Sequence, residues 1–131
     1  MAMQAGEVKE LLKTIEGLQD QYENFLRKFI LEIGMRAIAQ VKKITPVDTG
    51  NLRNRWELSN ITKEGDILNI YLINPVEYAS HVEYGHFYDT NEGKKYKAGV
   101  YMAKISIDKI NKEIPERYEK SFRKFIKKLG G

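Results

Sequence analysis

The chain has 131 residues, no cysteine and a net charge of +4. That length suits one domain, and the missing cysteine excludes a disulfide framework, a thiolate metal site and a cysteine nucleophile. No apolar run approaches the roughly 20 residues that cross a bilayer, and Met1 to Glu7 lacks the basic and apolar regions of a signal peptide; a soluble protein not secreted by that route is expected. The basic excess is local. From Glu116 to Gly131 there are six cations against two anions, which accounts for the whole net charge.

From Val8 to Ile44 apolar residues recur at threes and fours, through Leu11, Ile15, Leu18, Tyr22, Phe25, Phe29, Ile33, Ala37 and Val41. This is the pattern of an amphipathic helix. Gly17 is a poor helix former and predicts a break, giving an N-terminal arm over residues 1–18 and a long helix over residues 20–44. At 1.5 Å per residue the long helix would span about 37 Å, which is long for so small a domain, so part of its apolar face is expected against another subunit. Gly34, deep in that helix, is expected to admit close packing of another element.

The stretch from Thr45 to Trp56 joins helical to strand periodicity. Pro46 ends what precedes it. Asp48 can accept hydrogen bonds from downstream backbone N–H groups as a cap, Thr49 follows it, and Gly50 permits a close turn. Leu52 pins the turn to a core and Trp56 opens an extended segment.

A β-hairpin is predicted over residues 54–73. Its first strand alternates from Arg55 to Ile61, and its second, Ile67 to Ile73, is apolar on both faces. The second strand is therefore expected to be central and covered on both sides, by helix or by a neighbouring subunit. Trp56, Leu68, Ile70 and Leu72 are expected to be buried under Phe29, Ile33 and Ala37. Asn74-Pro75 ends the hairpin, and a short helix from Glu77 to Tyr84 is stopped by Gly85.

Residues 86–99 read as a polar mobile loop containing Gly93 and three lysines. Residues 100–129 return to helical spacing, although Val100-Tyr101-Met102 also admits a strand start. Pro115 is expected to kink or restart the helix. The basic C-terminal helix has three readings: a solvated face, a docking face for an acidic protein, or a contact to DNA phosphates. The spacing of Tyr118, Phe122 and Phe125 favours core packing over stacking on bases.

No catalytic residue is assigned. Ser80 and His81 are sequence neighbours that point about 100° apart on a helix, so they form no relay. Glu77, His81, Glu83 and His86 supply too few converging ligands for a metal. A non-enzyme with no cofactor and no metal is the expectation.

Two signatures carry the functional signal. The first is Thr45-Pro46-Val47-Asp48-Thr49-Gly50-Asn51-Leu52-Arg53, followed by Trp56. The second is Val76-Glu77-Tyr78-Ala79, then Val82-Glu83-Tyr84-Gly85-His86, with Gly99-Val100-Tyr101-Met102 further on. In this order, over roughly Met35 to Ile114, they resemble the small tail-component family of tailed bacteriophages, the tail-completion, head–tail joining or tail-terminator proteins. Where the family's pattern has an arginine after the Gly-His pair, this chain has Phe87.

The resemblance implies a single α+β domain: a long N-terminal helix packed on a small antiparallel β-sheet, with a short helix and a C-terminal helix. It implies a structural virion protein, assembled in the host cytoplasm. That protein is a homo-oligomeric ring, expected to be a hexamer, that caps the tail tube and mediates head–tail joining. Expected partners are the tail tube protein, head connector or neck proteins and, in a sheathed tail, the sheath. DNA passes through the lumen without sequence-specific binding, and no membrane is involved. The motif residues implied to matter are Pro46, Asp48, Thr49, Gly50, Leu52, Trp56, Tyr78, Ala79, Val82, Glu83, Gly85 and His86. Arg53, Arg55, Glu83, Tyr101 and Met102, which flank the motifs, are expected at subunit contacts. The alternatives are another neck ring (head closure or adaptor) and a basic DNA-binding regulator. The latter lacks the two short helices and tight turn of a helix-turn-helix.

Overall fold

The computed structural model describes residues 5–46 and 50–130. Two long helices form its spine. The first, α1 (Ala5–Ile44), is unbroken through Gly17, where a Cβ would meet nothing within 4 Å. The break expected at Gly17 is absent because no packing partner there forces the chain to turn, and neighbouring turns carry the helix across one weak residue. The last helix, α4 (Met102–Leu129), likewise runs through Pro115 without interruption.

α1 and α4 lie antiparallel. Lys109 Nζ donates to Gln40 Oε1 at 3.2 Å and Arg36 pairs with Glu113 at 3.3 Å. Further along, the ring of Phe29 meets Tyr118 at 5.5 Å and that of Phe25 meets Phe125 at 4.8 Å. Phe29, Ile33, Ala37 and Ile110 form one buried cluster along this seam, with Leu72, Ile114 and Tyr118 against it.

A second cluster lies at the C-terminal end of α1. Val41, Leu52, Trp56 and Met102 are buried there, bordered by Ile44, Val76, Ala79 and Val82. Leu52 comes from α2 (Gly50–Asn54) and points its apolar side chain into the core as expected. Val47, Asp48 and Thr49 lie outside the described residues, and with them the cap expected of Asp48.

The hairpin that follows holds β1 (Glu57–Leu58), β2 (Thr62–Glu64), β3 (Ile67–Asn69) and β4 (Leu72–Ile73), with β1 paired to β4 and β2 to β3. The registers Leu58↔Leu72 and Thr62↔Asn69 differ by one residue. The Ser59 N–H donates to the Tyr71 carbonyl at 2.9 Å, so Asn60 and Ile61 stand opposite Ile70 alone. Two residues against one is a β-bulge, and it divides what the alternation predicted as two straight strands. Gly65, at φ +61, takes the first place of the two-residue turn Gly65-Asp66, where glycine carries the positive φ without strain.

Gly34 is where the hairpin approaches α1. A Cβ there would lie 3.1 Å from the methyl groups of Leu58 and Ile70, so the close packing expected at this glycine is present. Trp56 is buried; Leu68, Ile70 and Leu72 are half-buried. The opposite face is open within this subunit, with Ile67, Tyr71 and Ile73 exposed. Among the described residues no further strand or helix covers that face, so the second strand is not central within one chain; of the two expected covers, the neighbouring subunit is the one left to supply it.

α3 (Ala79–Tyr84) leads directly into β5 (Gly85–Thr90), which pairs antiparallel with β6 (Gly93–Ala98) in register His86↔Lys97 and Tyr88↔Lys95. The segment 86–99 is thus a hairpin and not a loop. Thr90 closes its tip, donating its hydroxyl to the Gly93 carbonyl at 2.6 Å and accepting from the Glu92 N–H at 3.2 Å. No described helix is long and apolar enough to cross a membrane.

Candidate assembly site

The two sequence signatures meet around the second buried cluster. The Thr45 hydroxyl donates to the Val41 carbonyl at 2.5 Å and accepts from the Trp56 Nε1–H at 2.9 Å. One buried side chain thereby ties the end of α1 to the start of the first hairpin. Asn74 makes the next tie: its amide donates to the Leu52 carbonyl at 2.8 Å, and its Oδ1 accepts from the Val76 N–H at 3.1 Å.

Glu83 makes the third tie. It is only 7 % exposed, and its carboxylate accepts from the backbone N–H groups of Ala103 at 2.7 Å and Lys104 at 3.0 Å. These are among the four donors that a helix start leaves unsatisfied. An anionic acceptor there also meets the positive end of the helix dipole. Glu83 therefore caps α4 from twenty residues upstream. The backbone reinforces the joint: Tyr101 N–H donates to the Glu83 carbonyl at 3.0 Å and Val100 N–H to the Val82 carbonyl at 2.9 Å.

Close crossing of two chain segments explains the glycines. Gly85 has φ +87, and a Cβ there would stand 2.6 Å from the Lys97 carbonyl oxygen. A Cβ at Gly99 would fall 2.6 Å from the Tyr84 carbonyl carbon. Tyr96 Oη donates to the Tyr84 carbonyl at 2.9 Å, pinning the base of the second hairpin. Tyr101, which opens α4, adopts a left-handed φ of 48°, a cost that a tyrosine carries only where its surroundings fix it.

The expected site residues therefore divide. Leu52, Trp56, Ala79, Val82, Glu83 and Gly85 surround this junction, with Pro46 at the end of α1 beside it. Glu83 and Met102, expected at subunit contacts, are instead turned inward: Met102 is wholly buried and Glu83 is committed to α4. Arg55, Tyr78 and Tyr101 are exposed, and Arg53 and His86 are half-buried. Sequence reasoning did not find Thr45, Asn74 or Ser106 as interior polar residues. Ser106 is fully buried, with no hydrogen-bond partner for its hydroxyl among the described residues.

His81 and His86 stack with ring centroids 5.0 Å apart, face to face and not converging on a point. Among the described residues no group of three or more His, Asp or Glu side chains could hold a metal ion. Two groups have shifted protonation. Burial, and then the 2.6 Å hydrogen bond with Tyr22, push the Tyr118 hydroxyl up to about 12. The ion pair with Lys63, with Arg27 assisting, holds Glu23 below the usual carboxylate range.

Uncovered apolar surface among the described residues includes three regions. One is the N-terminal stretch of α1, where Val8, Leu11, Leu12, Ile15 and Leu18 are all exposed. The second is the open face of the first hairpin. The third is the second hairpin, where Phe87 is 71 % exposed and pairs across the strands with Tyr96, ring to ring at 5.1 Å.

No curated protein and no solved structure matches the chain. Residues 9–85 match the family described as "Bacteriophage HK97-gp10, putative tail-component". The match takes in α1 from Lys9, the first signature, the first hairpin and the second signature as far as Gly85; it starts earlier than the stretch that carries the sequence resemblance, and it stops at the first residue of β5, before β6 and α4. Because it spans more than half of the chain, the protein belongs to the HK97-gp10-like family of bacteriophage tail components.

Proposed function

We propose that this tail component is a ring-forming subunit that caps the tail tube and joins it to the head. The observation that carries the reading is the amount of apolar surface left uncovered on rigid elements: the outer end of α1, the face with Ile67, Tyr71 and Ile73, and the Phe87–Tyr96 pair. Contiguous apolar surface on ordered elements marks contact with other proteins. A subunit with several such faces on different elements suits a closed ring that also meets other tail partners, and closed symmetry limits its growth.

In this reading the protein acts by binding and not by catalysis. One face of the ring copies the contact of a tube subunit and stops the growing end. The other presents the head connector with a different surface, and DNA passes through the lumen without being read. Arg53, Arg55 and Tyr101, exposed or half-buried beside the junction, are the retained candidates for subunit contacts. A regulator that stacks bases on α4 gains little support, because Tyr118, Phe122 and Phe125 are occupied by Tyr22, Phe25 and Phe29.

Deleting the gene and imaging the particles tests the proposal. Tails of abnormal length are expected. Tails of normal length that fail to join filled heads would assign the subunit to a head-closure or adaptor ring instead. Normal infectious particles would refute both.

A further inference from the structure

The apolar seam of α1 continues past its partner. Val8, Leu11, Ile15, Leu18, Tyr22, Phe25 and Phe29 follow alternating steps of three and four, the spacing of a helix-pairing seam. Tyr118, Phe122 and Phe125 of α4 cover Tyr22, Phe25 and Phe29. In the antiparallel pairing of Gln40 with Lys109 and Phe25 with Phe125, α4 runs out at Leu129, opposite Gln21. Every residue from Gly6 to Asp20 is exposed, so an arm of about 22 Å carries its half of a seam with no described element packed along it.

A groove of matching character lies on the same molecule. It runs between α1 and α4, is floored by Phe25, Phe125 and Leu129, and is edged by Lys28, Lys124 and Lys128. The charges are complementary. From Gly6 to Asp20 the arm has four carboxylates, Glu7, Glu10, Glu16 and Asp20, against the two lysines Lys9 and Lys13, while the groove edge is cationic. Two arms paired with each other would bring acid to acid. The arm cannot fold back onto its own groove, because the helix is continuous from the arm into the groove wall.

We propose that the acidic, apolar arm of one copy, residues 6–20, docks in the basic α1–α4 groove of the next copy, forming a three-helix contact. Arm and groove are different surfaces, so the contact is head-to-tail, and such a contact closes into a ring when its rotation allows. The proposal deepens the ring reading by naming the contact that joins neighbours. It also gives the basic end of α4 a partner: the acidic helix of an identical chain.

Cysteine cross-linking of the full-length protein tests it, since the native chain has no cysteine. One preparation carries Ile15→Cys and another Ser121→Cys. They are mixed, treated with a short bis-maleimide and weighed both as cross-linked chains and as native particles. Asn24→Cys, on the α1 side of the groove, serves if Ser121→Cys melts below the parent. Cross-links between unlike variants are expected. The triple change Lys28→Glu, Lys124→Glu and Lys128→Glu should cut their yield about tenfold, the sum of three modest exposed ion pairs. Glu10→Lys, Glu16→Lys and Asp20→Lys on the partner should restore it.

Unlike cross-links in open chains would uphold the contact and overturn the ring. Closed rings without unlike cross-links would overturn the contact and leave the ring standing. Cross-links only between two Ile15→Cys chains would replace the contact by arm–arm pairing. Uncross-linked monomers would overturn both.

Discussion

At the scale of single residues, Glu83 ties the two halves of the chain together at the start of α4. Replacing it by alanine leaves two part-buried amides at the start of α4 without their acceptor and should cost about 2 kcal/mol. Glu83→Gln keeps one acceptor oxygen and should cost roughly half that, so denaturant midpoints ordered wild type, Gln, Ala are expected; an alanine variant as stable as wild type would contradict the capping role. Tyr118 supplies a pH test. Its folded pKa is raised from 10.0 to about 12, so its contribution is complete below pH 10 and is lost as pH rises from 10 toward 12. Tyr118→Phe should flatten that loss in midpoints measured across this interval. Neither role was legible in the sequence. Glu83 was visible as a motif residue, but its partners lie twenty positions away, and nothing in local spacing shows that a carboxylate will cap a distant helix.

Two glycines of one helix separate the causes at the scale of elements. At Gly34 an added Cβ runs into Leu58 and Ile70, so Gly34→Val should cost about 2 kcal/mol through overpacking. At Gly17 the surroundings are open, so Gly17→Ala should instead gain up to about 1 kcal/mol of helix propensity. Paired thermal melts check both signs. The sequence distinguished these glycines only in part: each weakens a helix equally on propensity, and packing alone decides which is needed. The second hairpin was hidden for a related reason. Its positions are exposed or at most half-buried, so no alternation of apolar and polar residues announced β5 and β6, whereas the half-buried first hairpin was readable. A lone two-stranded hairpin is marginal in water, and the amides of 86–98 should exchange faster in free subunits than in assembled particles; equal rates would show that it needs no neighbour.

For the whole molecule, the α+β architecture followed from periodicity and turn chemistry: a long helix, a hairpin, a short helix and a final helix stand in the order the residues indicate. What periodicity could not supply was the relation between distant segments, namely the antiparallel pairing of α1 with α4, the bulge opposite Ile70 and the crossing at Gly85 and Gly99. The same limit applies to the candidate site. The motif residues mostly build the junction, while the surfaces free to meet other proteins lie on stretches without a motif, the outer end of α1 and the Phe87–Tyr96 hairpin. The claim that these surfaces serve assembly is tested most directly by imaging the purified full-length protein together with tail tubes. Closed rings of uniform size, seated at one end of each tube, are the expected result; compact monomers that leave both tube ends bare would contradict it.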